Sequence, residues 1–331
     1  MKILGIGNAL VDIMTQMDDD KVLENYEIPK GSMQLCDIDL INSLSGVTEK
    51  NKKQLTSGGS AANSIHALAR LEVETGFIGS LGSDKLGDFF FEELENAGIK
   101  PYFKRSKANN TGCAMALVSP DSERTFATYL GAAIELEDKD LRDEWFKGYD
   151  LLYIEGYLVQ NQKLLLKAAE MAKNAGMRIA LDLASFNIVE DNLEFLKQFV
   201  DDYVDILFAN EEESKAFTGM EPHQSVEELA KKAEIAVVKI GDKGSLIRHQ
   251  ASGKTLEIPS VAKQVVDTTG AGDAYAAGFL YGLSRNLPLE KAAEIGSLLA
   301  GTVIADIGAK ILPEKWEDVV MKLDAITYPS E

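Results

Sequence analysis

The sequence lacks the features on which disulfide-stabilised, zinc-binding, membrane-spanning and nucleic-acid-binding proteins depend. It has two cysteines in 331 residues, Cys36 and Cys113, which stand far apart and outside any CxxC or Cys/His spacing. This argues against a disulfide framework and against a zinc site. No apolar run approaches the roughly 18 residues of a membrane span. The formal net charge is −19 and the longest basic run is KNKK at 50–53, whereas a duplex-binding surface needs clustered Lys and Arg.

The composition is that of a globular protein, with 45% hydrophobic and 26% charged residues and only 8 prolines. The chain opens into MKILGIG without a cleavable signal pattern, which predicts a cytoplasmic protein with no membrane partner. An acidic protein binds phosphates locally, through backbone N–H groups and a metal ion, rather than through a broad positive field. We therefore expect small-molecule ligands and no nucleic acid.

Short apolar or β-branched runs alternate along most of the chain with segments of helical spacing. The runs are KILGIG, TGFIGSLG, DLLYIEG, MRIALDL, VDILFAN and EIAVVKI, and the helical segments include SAANSIHALARL and NQKLLLKAAEMAKNAG. This alternation predicts an α/β fold with a doubly wound, mostly parallel sheet and helices on both faces.

Two stretches interrupt the alternation, 14–56 and 100–133, and the second contains the strand-like TGCAMALVS and RTFATYL. We expect these two insertions to form a small β lid outside the main sheet. The α/β core then comprises 1–13, 57–99 and 134–331.

Polar residues follow the predicted strands, where the ligands of an open parallel sheet collect. They are Asn8, Asp12, Asp182, Asn210, Glu213 and Gly241. The sequence therefore predicts a ligand site at one rim of the sheet.

Two familiar phosphate-binding motifs fail on their spacing. The GKT at 253–255 has Arg248 where a P-loop needs its first glycine. The dinucleotide fingerprint GxGxxG begins at Gly5 and Gly7 but has Leu10 where the third glycine belongs. A P-loop NTPase and a dehydrogenase are therefore disfavoured.

The segment DTTGAGD at 267–273 runs directly into the apolar AYAAGFLYGL. Small residues at the start of a helix allow close approach, and the first-turn N–H groups are unpaired and lie at the positive end of the dipole. Gly270, Ala271 and Gly272 therefore predict an anion hole for a phosphoryl group in transfer. Asp273 beside it could accept the proton of an attacking hydroxyl. The structural alternative is that Asp273 only caps the helix.

The sequence resembles the ribokinase-like (PfkB) carbohydrate and nucleoside kinases. The resemblance is carried by DTTGAGDAYAAGFLYG, by SGGSAANSIHALARL at 57–71 and by the GFIGSLGSDKLGDFF that follows, and it covers nearly the whole chain. It implies a doubly wound core with a β lid, ATP as the phosphoryl donor and a sugar hydroxymethyl group as the acceptor.

The resemblance also implies roles for individual residues. Asp273 corresponds to the catalytic base, and the backbone of Gly270, Ala271 and Gly272 to the anion hole. The acceptor would be held by Gly58, Gly59 and Asn63 in the sugar-binding loop, by Asn8, and by Asp12, whose two oxygens suit two ribose hydroxyls.

On the nucleotide side, Asn210 and Glu213 match the family's NxxE element, which helps to place Mg²⁺, the Glu acting through metal-bound water. The same pair also fits a helix capping box, which is the structural alternative. KIGDKGS resembles the segment that wraps the nucleotide, with Lys239, Gly241 and Gly244 as its members.

Members of the family often bind a monovalent cation beside the anion hole. By position this implies Asp267 and Thr269, with carbonyls near Gly308, as ligands of an ion such as K⁺.

The acceptor is the least determined feature of the sequence. GIGNALVDI and GGSAANSI resemble the adenosine-kinase branch, whereas the Thr269 of DTTGAGD is typical of sugar kinases. Apolar and aromatic lid residues could stack on a base or pack the lid, namely Met33, Leu35, Phe126 and Tyr129. The sequence favours an adenosine-like ribonucleoside. A ribokinase- or fructokinase-type free-sugar kinase and a non-catalytic sugar- or nucleotide-binding regulator are the alternatives, and either a monomer or a lid-mediated homodimer is expected.

Overall fold

A computed structural model describes residues 1–121 and 123–328 of the chain. Its fourteen strands are β1 (Ile3–Ile6), β2 (Leu10–Gln16), β3 (Met33–Leu35), β4 (Lys53–Gly58), β5 (Thr75–Gly82), β6 (Lys100–Ser106), β7 (Gly112–Val118), β8 (Arg124–Tyr129), β9 (Leu151–Glu155), β10 (Arg178–Asp182), β11 (Ile206–Asn210), β12 (Ile235–Lys239), β13 (Ser245–His249) and β14 (Thr255–Ile258).

The α-helices of the described residues are α1 (Lys21–Asn25), α2 (Ile38–Val47), α3 (Ser60–Arg70), α4 (Lys85–Asn96), α5 (Asp143–Phe146), α6 (Gln162–Asn174), α7 (Phe186–Asp191), α8 (Leu193–Tyr203), α9 (Glu211–Thr218), α10 (Pro222–Leu229), α11 (Ala271–Ser284), α12 (Leu289–Val303) and α13 (Trp316–Thr327). None of the helices in this part of the chain is both long and apolar enough to cross a bilayer.

The main sheet has nine strands in the order β14-β13-β12-β11-β10-β9-β1-β5-β6. Neighbours from β6 to β12 pair in parallel, and β13 and β14 add an antiparallel edge. The strand order runs outward from β1 in both directions, so the topological switch point lies between β1 and β9, where ligands of such sheets bind.

Helices cover both faces of this sheet because its strands are apolar on both sides. Along β1, Ile3 belongs to one buried cluster and Leu4 to the other. The first cluster contains Phe77, Phe208 and Phe279 and also extends under the small sheet, whereas the second contains residues of α6 and α8. The predicted α/β fold, doubly wound and mostly parallel, is confirmed.

The small sheet is defined here as the five strands in the order β3-β8-β7-β2-β4. Residues alternate between its two faces, and one face, with Val11, Ile13 and Thr15 of β2, is buried. The other face carries Asp12 and Met14, which are only partly buried. This second face is turned toward the segment that follows α12, since Met14 Cε lies 3.9 Å from the position that a Gly308 Cβ would take.

Strand membership differs from the sequence expectation mainly at two places, and in addition Ser57 and Gly58, predicted in the core, end β4 of the small sheet. Lys100–Ser106, predicted to lie in the lid, is β6 and pairs in parallel with β5 in the main sheet. Leu10–Gln16 is one continuous strand of the small sheet, although residues 10–13 were predicted in the core. Both differences arise because β-branched and aromatic alternation identifies a strand but not the sheet that it joins. Residue 122 of the predicted lid and residues 329–331 of the predicted core lie outside the described residues.

The packing of α11 against α12 sets the position of the DTTGAGD segment. A Cβ at Gly278 would lie 2.6 Å from the Ile295 carbonyl oxygen and 2.8 Å from Gly296. The two helices therefore approach to backbone contact, and glycine is required for steric reasons at this crossing.

We expect Gly278→Ala to lower the free energy of unfolding by about 1–3 kcal/mol, because the added methyl group overpacks the α11–α12 contact. Gly46→Ala in α2 is the matched control, since a Cβ there meets no atom within 4 Å. The control should be neutral or stabilising by up to about 1 kcal/mol. Urea unfolding of both variants tests this, and equal stabilities would show that the close approach is unimportant.

Candidate active site

Most of the polar residues singled out in the sequence lie near the carboxyl ends of the parallel strands, next to the switch point. Asp12 is the exception, since it was predicted to follow the first strand but lies within β2 of the small sheet. A cleft of about 580 Å³ opens at the carboxyl ends of the parallel strands. It is lined by Ser60, Tyr157, Asp182, Ala184, Asn210, Glu211, Glu212, Glu213, Lys239, Gly241, Gly270, Ala271, Gly272 and Asp273.

The DTTGAGD segment forms the start of α11, as predicted, with Gly270 as its N-cap residue in the left-handed region at φ 76°. Within the described residues the amides of Gly270, Gly272 and Asp273 make no hydrogen bond inside the protein. The Ala271 amide, predicted to be unpaired and part of the anion hole, instead donates to the Thr268 carbonyl at 3.2 Å. A tight turn into the helix brings this donor and acceptor together. Three open amides therefore remain for an anion.

Asp273 lies on the first turn of α11 and lines the cleft. Its Oδ1 accepts a hydrogen bond from Ser60 Oγ at 2.7 Å, and its Oδ2 accepts one from Asn63 Nδ2 at 3.0 Å. Burial raises the pKa of Asp273 above its ordinary value, although both hydrogen bonds oppose that rise. The N-cap residue is Gly270 and not Asp273, and the Asp273 side chain bonds to α3 through Ser60 and Asn63. The structural alternative of a mere cap is therefore not supported.

Asp12 lies on the partly buried face of β2, next to Gly58. A Cβ at Gly58 would lie 2.5 Å from Asp12 Oδ2, so glycine leaves room for this carboxylate. The pKa of Asp12 is raised to about 6, mainly by burial. The charge of Asp273 adds to this rise, and the charge of Lys310 opposes it. Lys310 is held by Glu93 at 2.8 Å and by Ser57 Oγ at 2.6 Å. Asp12 and Asp273 are thus close enough for their charges to interact.

Asn8 is held by a buried carboxylate that the sequence did not single out. Glu155, at the end of β9, accepts hydrogen bonds from Asn8 Nδ2 at 2.7 Å and from the Ala61 amide at 3.0 Å. Gly59, with φ 98°, would bring a Cβ to 2.1 Å from the Asn8 carbonyl oxygen. Burial raises the pKa of Glu155 to about 7 despite its hydrogen bonds. Glu155 therefore ties β1 to the start of α3.

Asn210 and Glu213 form the capping box that was the alternative to a ligand site. Asn210 Oδ1 accepts from the Glu213 amide at 2.8 Å, and Glu213 Oε2 accepts from the Asn210 amide at 2.8 Å. Glu213 Oε1 accepts from Asn210 Nδ2 at 2.7 Å. Burial raises the pKa of Glu213 to about 7. Both residues also line the cleft, so capping and a place beside the ligand are compatible.

Lys239 ends β12 and reaches into the cleft beside the predicted anion hole. Its Nζ donates to Asp182 Oδ2 at 2.9 Å and lies 3.1 Å from the position that a Gly272 Cβ would take. Burial lowers the pKa of Lys239, but Asp182 and Glu213 hold it above its ordinary value. Gly241 also lines the cleft, whereas Gly244 does not. Instead, Gly244 packs against the β14 carbonyls, with φ 103°.

Asp267, predicted as a cation ligand, already has partners within the protein. Asp267 pairs with Arg124 of the small sheet, and its carboxylate also accepts from the amides of Gly308 at 2.7 Å and Thr269 at 2.9 Å. Burial by itself raises the pKa of Asp267, but Arg124 and these amides hold it below its ordinary value. Asp267 is thus surrounded by hydrogen-bond donors.

Sequence reasoning missed several residues of the site. Glu155 could have been found, because it ends a predicted strand as Asp182 does. Ser60 lies within the quoted GGSAAN motif. Arg124 and Lys310 carry no local signal, since their partners are 143 and 253 residues away in sequence.

The fold and the site together define a phosphoryl-transfer enzyme of the ribokinase-like kind. The model of the pfkB family carbohydrate kinases matches residues 33–316. The chain belongs to this family, and it is a kinase that phosphorylates a sugar or a nucleoside.

Proteins similar to this chain include both sugar kinases and adenosine kinases. A 5-dehydro-2-deoxygluconokinase from Geobacillus thermodenitrificans is 30% identical over 264 residues, covering 75% of this chain and 78% of the relative. The solved structure of an adenosine kinase from Sinorhizobium meliloti is 32% identical, with a TM-score of 0.84 and coverage of 97% and 99% of the two chains. A probable sugar kinase from Rhizobium etli is 29% identical, with a TM-score of 0.85 and coverage of 97% and 98%.

The raised pKa of Glu155 makes stability depend on pH. Between its ordinary pKa and about 7, the folded protein binds more protons at this group than the unfolded chain does. The contribution of Glu155 to stability is therefore full at low pH and is lost as pH rises through the folded value. From pH 5 to pH 8 the loss should be about 2 kcal/mol, at about 1.4 kcal/mol per pKa unit.

Urea unfolding at both pH values measures this loss. Glu155→Gln, which cannot ionise, should show a decline smaller than that of the wild type by that amount. Glu194→Gln, at an exposed position, should decline as the wild type does. Equal declines in all three proteins would contradict the role of burial at Glu155.

Proposed function

We propose that the protein transfers the γ-phosphoryl group of ATP to the hydroxymethyl group of a ribonucleoside, with an adenosine-like acceptor favoured. The observation that carries this proposal is the apolar face of the small sheet, which is shared with Asp12. It supports an acceptor with both a hydroxyl-bearing sugar and an apolar ring.

The sugar would lie between Asp12 and Asp273. Asp12 would accept hydrogen bonds from two ribose hydroxyls, because an ionised carboxylate only accepts. The buried Asn63 Oδ1 has no hydrogen-bond partner among the described residues, and a ligand hydroxyl would satisfy it. These groups support binding of a polyhydroxy ligand next to the open amides of α11.

Asp273 would act as the base. The acceptor oxygen attacks the γ-phosphorus, its proton passes to Asp273, and the bond from the γ-phosphorus to the ADP oxygen breaks. A base that accepts the proton late suits the loose transition state of phosphoryl transfer. Ser60 and Asn63 hold the Asp273 carboxylate in place, so the side chain is oriented before the substrate arrives.

The transferred phosphoryl group would be bound by the open amides of Gly270, Gly272 and Asp273, with the Lys239 ammonium beside them. Preorganised donors of this kind stabilise charge that develops in the transition state. Mg²⁺ that accompanies ATP neutralises phosphate charge, and Glu213 would contact it only through water, because Asn210 engages both Glu213 oxygens. In the described ranges no cluster of His, Cys, Asp and Glu is placed to bind a metal ion alone. This fits an ion held mainly by phosphates and water.

A second, more apolar cleft of about 840 Å³ is a candidate for the ATP base. It lies between the segment after β14 and helices α12 and α13, and Pro259, Val261 and Leu298 are among its lining residues. In the segment after β14 the last lining residue is Gln264, three residues before the DTTGAGD segment. An apolar cleft with a few polar groups suits a heteroaromatic base.

The acceptor base would lie on the face of the small sheet that carries Asp12. Residues that pair across neighbouring strands share a face. Met33 pairs with Phe126, Phe126 with Ala116, and Ala116 with Met14, two residues beyond Asp12. This row therefore lies on the Asp12 face. Tyr129, which pairs with Cys113, lies on the opposite face and is not available for stacking.

Met33 is 62% exposed. An exposed methionine beside a partly buried phenylalanine offers adaptable apolar contact to a flat ring. A free sugar has no use for such a surface, which is why a nucleoside is favoured over the free-sugar alternative. The presence of Asp273 beside the open amides argues against a non-catalytic regulator, which needs neither.

A screen of ADP release tests the acceptor. Adenosine, other nucleosides, ribose, fructose and 5-dehydro-2-deoxygluconate should be compared, and a nucleoside is expected to give the highest kcat/KM. Met33→Asp should then raise the KM for the nucleoside by about 10-fold, because roughly 1.4 kcal/mol of apolar contact is lost.

The matched control is Val47→Asp at the end of α2, where Val47 is 53% exposed, and it should leave the KM unchanged. Turnover of ribose or fructose well above any nucleoside, unaffected by Met33→Asp, would reject the nucleoside and retain the kinase.

Asp273→Asn tests the base. We expect kcat to fall by about 100-fold or more, since a general base contributes 10² to 10⁴ in rate. The melting temperature should hold, because rotation of the Asn63 amide would present its unpartnered Oδ1 to the new amide. Ser60→Ala is a useful comparison, since it removes one hydrogen bond to Asp273 and keeps the carboxylate, and it should cost less. Near wild-type turnover by Asp273→Asn would remove Asp273 from the chemistry.

A further inference from the structure

The carboxylate predicted to bind a monovalent cation is already paired with a cation from the protein. Arg124, the first residue of β8, presents two guanidinium nitrogens to the two oxygens of Asp267. The Asp267 side chain is 1% exposed and that of Arg124 is 16% exposed. A bidentate pair of this kind is geometrically specific as well as strong.

The hydrogen-bonding capacity of Asp267 is fully used. Arg124 Nη2 and the Thr269 amide donate to its Oδ1, and Arg124 Nη1 and the Gly308 amide donate to its Oδ2. A carboxylate offers about four lone-pair positions, and all are met by N–H groups. A bare metal cation here would have to displace Arg124, and the two remaining backbone groups would point hydrogens, not oxygens, toward the site.

Burial makes that displacement unfavourable. Breaking a buried pair leaves an uncompensated charge, which is far more costly than the pair itself. The Arg124 guanidinium also lies 5.7 Å from the centre of the Phe126 ring, within the range of a cation–π contact. Arg124 is therefore held from both sides.

We propose that Arg124 is a built-in replacement for the monovalent cation at Asp267, so that this enzyme needs no K⁺. The guanidinium neutralises Asp267 and, through the Thr269 and Gly308 amides, orders the loop that precedes the open amides of α11. Because Arg124 belongs to the small sheet, 143 residues before Asp267, the loop is ordered by the protein itself rather than by the ionic composition of the solution.

Thermal unfolding in KCl and in choline chloride of equal ionic strength tests the proposal without substrate. The wild type should unfold at the same temperature in both salts. Arg124→Met should unfold about 5 °C or more lower, because it leaves Asp267 buried without a partner. K⁺, but not choline, should recover part of this loss, since the vacated carboxylate can then accept a small cation. Arg142→Met, which removes an exposed arginine, should resemble the wild type in both salts.

Steady-state turnover gives a second readout, which alone depends on the proposed function. Wild-type kcat should differ by less than about twofold between KCl and choline chloride. A cation that stabilised the transition state by about 1.4 kcal/mol would instead change kcat about tenfold. Arg124→Lys keeps one positive charge and serves if Arg124→Met does not fold, and its unfolding temperature should also be independent of K⁺. A K⁺-specific rise in wild-type stability or activity, or the absence of any K⁺ response in a folded Arg124→Met, would overturn the proposal.

Discussion

The site depends on amides that are left open where α11 begins. A left-handed Gly270 starts the helix without a side-chain cap, and the amides of Gly270, Gly272 and Asp273 remain free of partners among the described residues. Unpaired first-turn donors at the positive end of a helix dipole attract an anion. The other parts of the site serve to place this helix start. Close packing of α11 on α12 fixes the position of the helix, and the contacts of Asp267 fix the path of the DTTGAGD segment that leads into it.

These amides explain how a strongly acidic protein can act on phosphates. The cleft holds the carboxylates of Asp182 and Glu213 and one lysine, Lys239, which those carboxylates stabilise in its charged form. No broad positive field attracts the ligand. In the proposed function, phosphate would be bound by backbone dipoles, one buried ammonium and the ion that ATP brings, because electrostatic interactions are stronger in a buried site than in water.

Much of the fold could be predicted from the sequence because it is encoded locally. The apolar runs that predicted strands, such as TGFIGSLG, are strands, since a strand buried on both faces needs continuous apolar residues. DTTGAGD and GGSAAN could be located because small residues are required wherever backbone approaches backbone or ligand. The limits of this reasoning appear at Lys100–Ser106 and Leu10–Gln16, where the strand was visible but its sheet was not. A strand's partners are chosen by the packing of distant segments.

The sequence by itself determined the α/β alternation and the place where α11 begins, in the DTTGAGD segment, because local pattern suffices for these. Only the tertiary structure decided that Glu155 holds Asn8, that Lys310 lies beside Asp12 and that Arg124 satisfies Asp267. Those pairs join residues far apart along the chain, and nothing in the local sequence of either member indicates the other. The fold as a whole determines which groups pair with buried carboxylates. The carboxylates themselves can be recognised locally, because several of them stand at the ends of predicted strands.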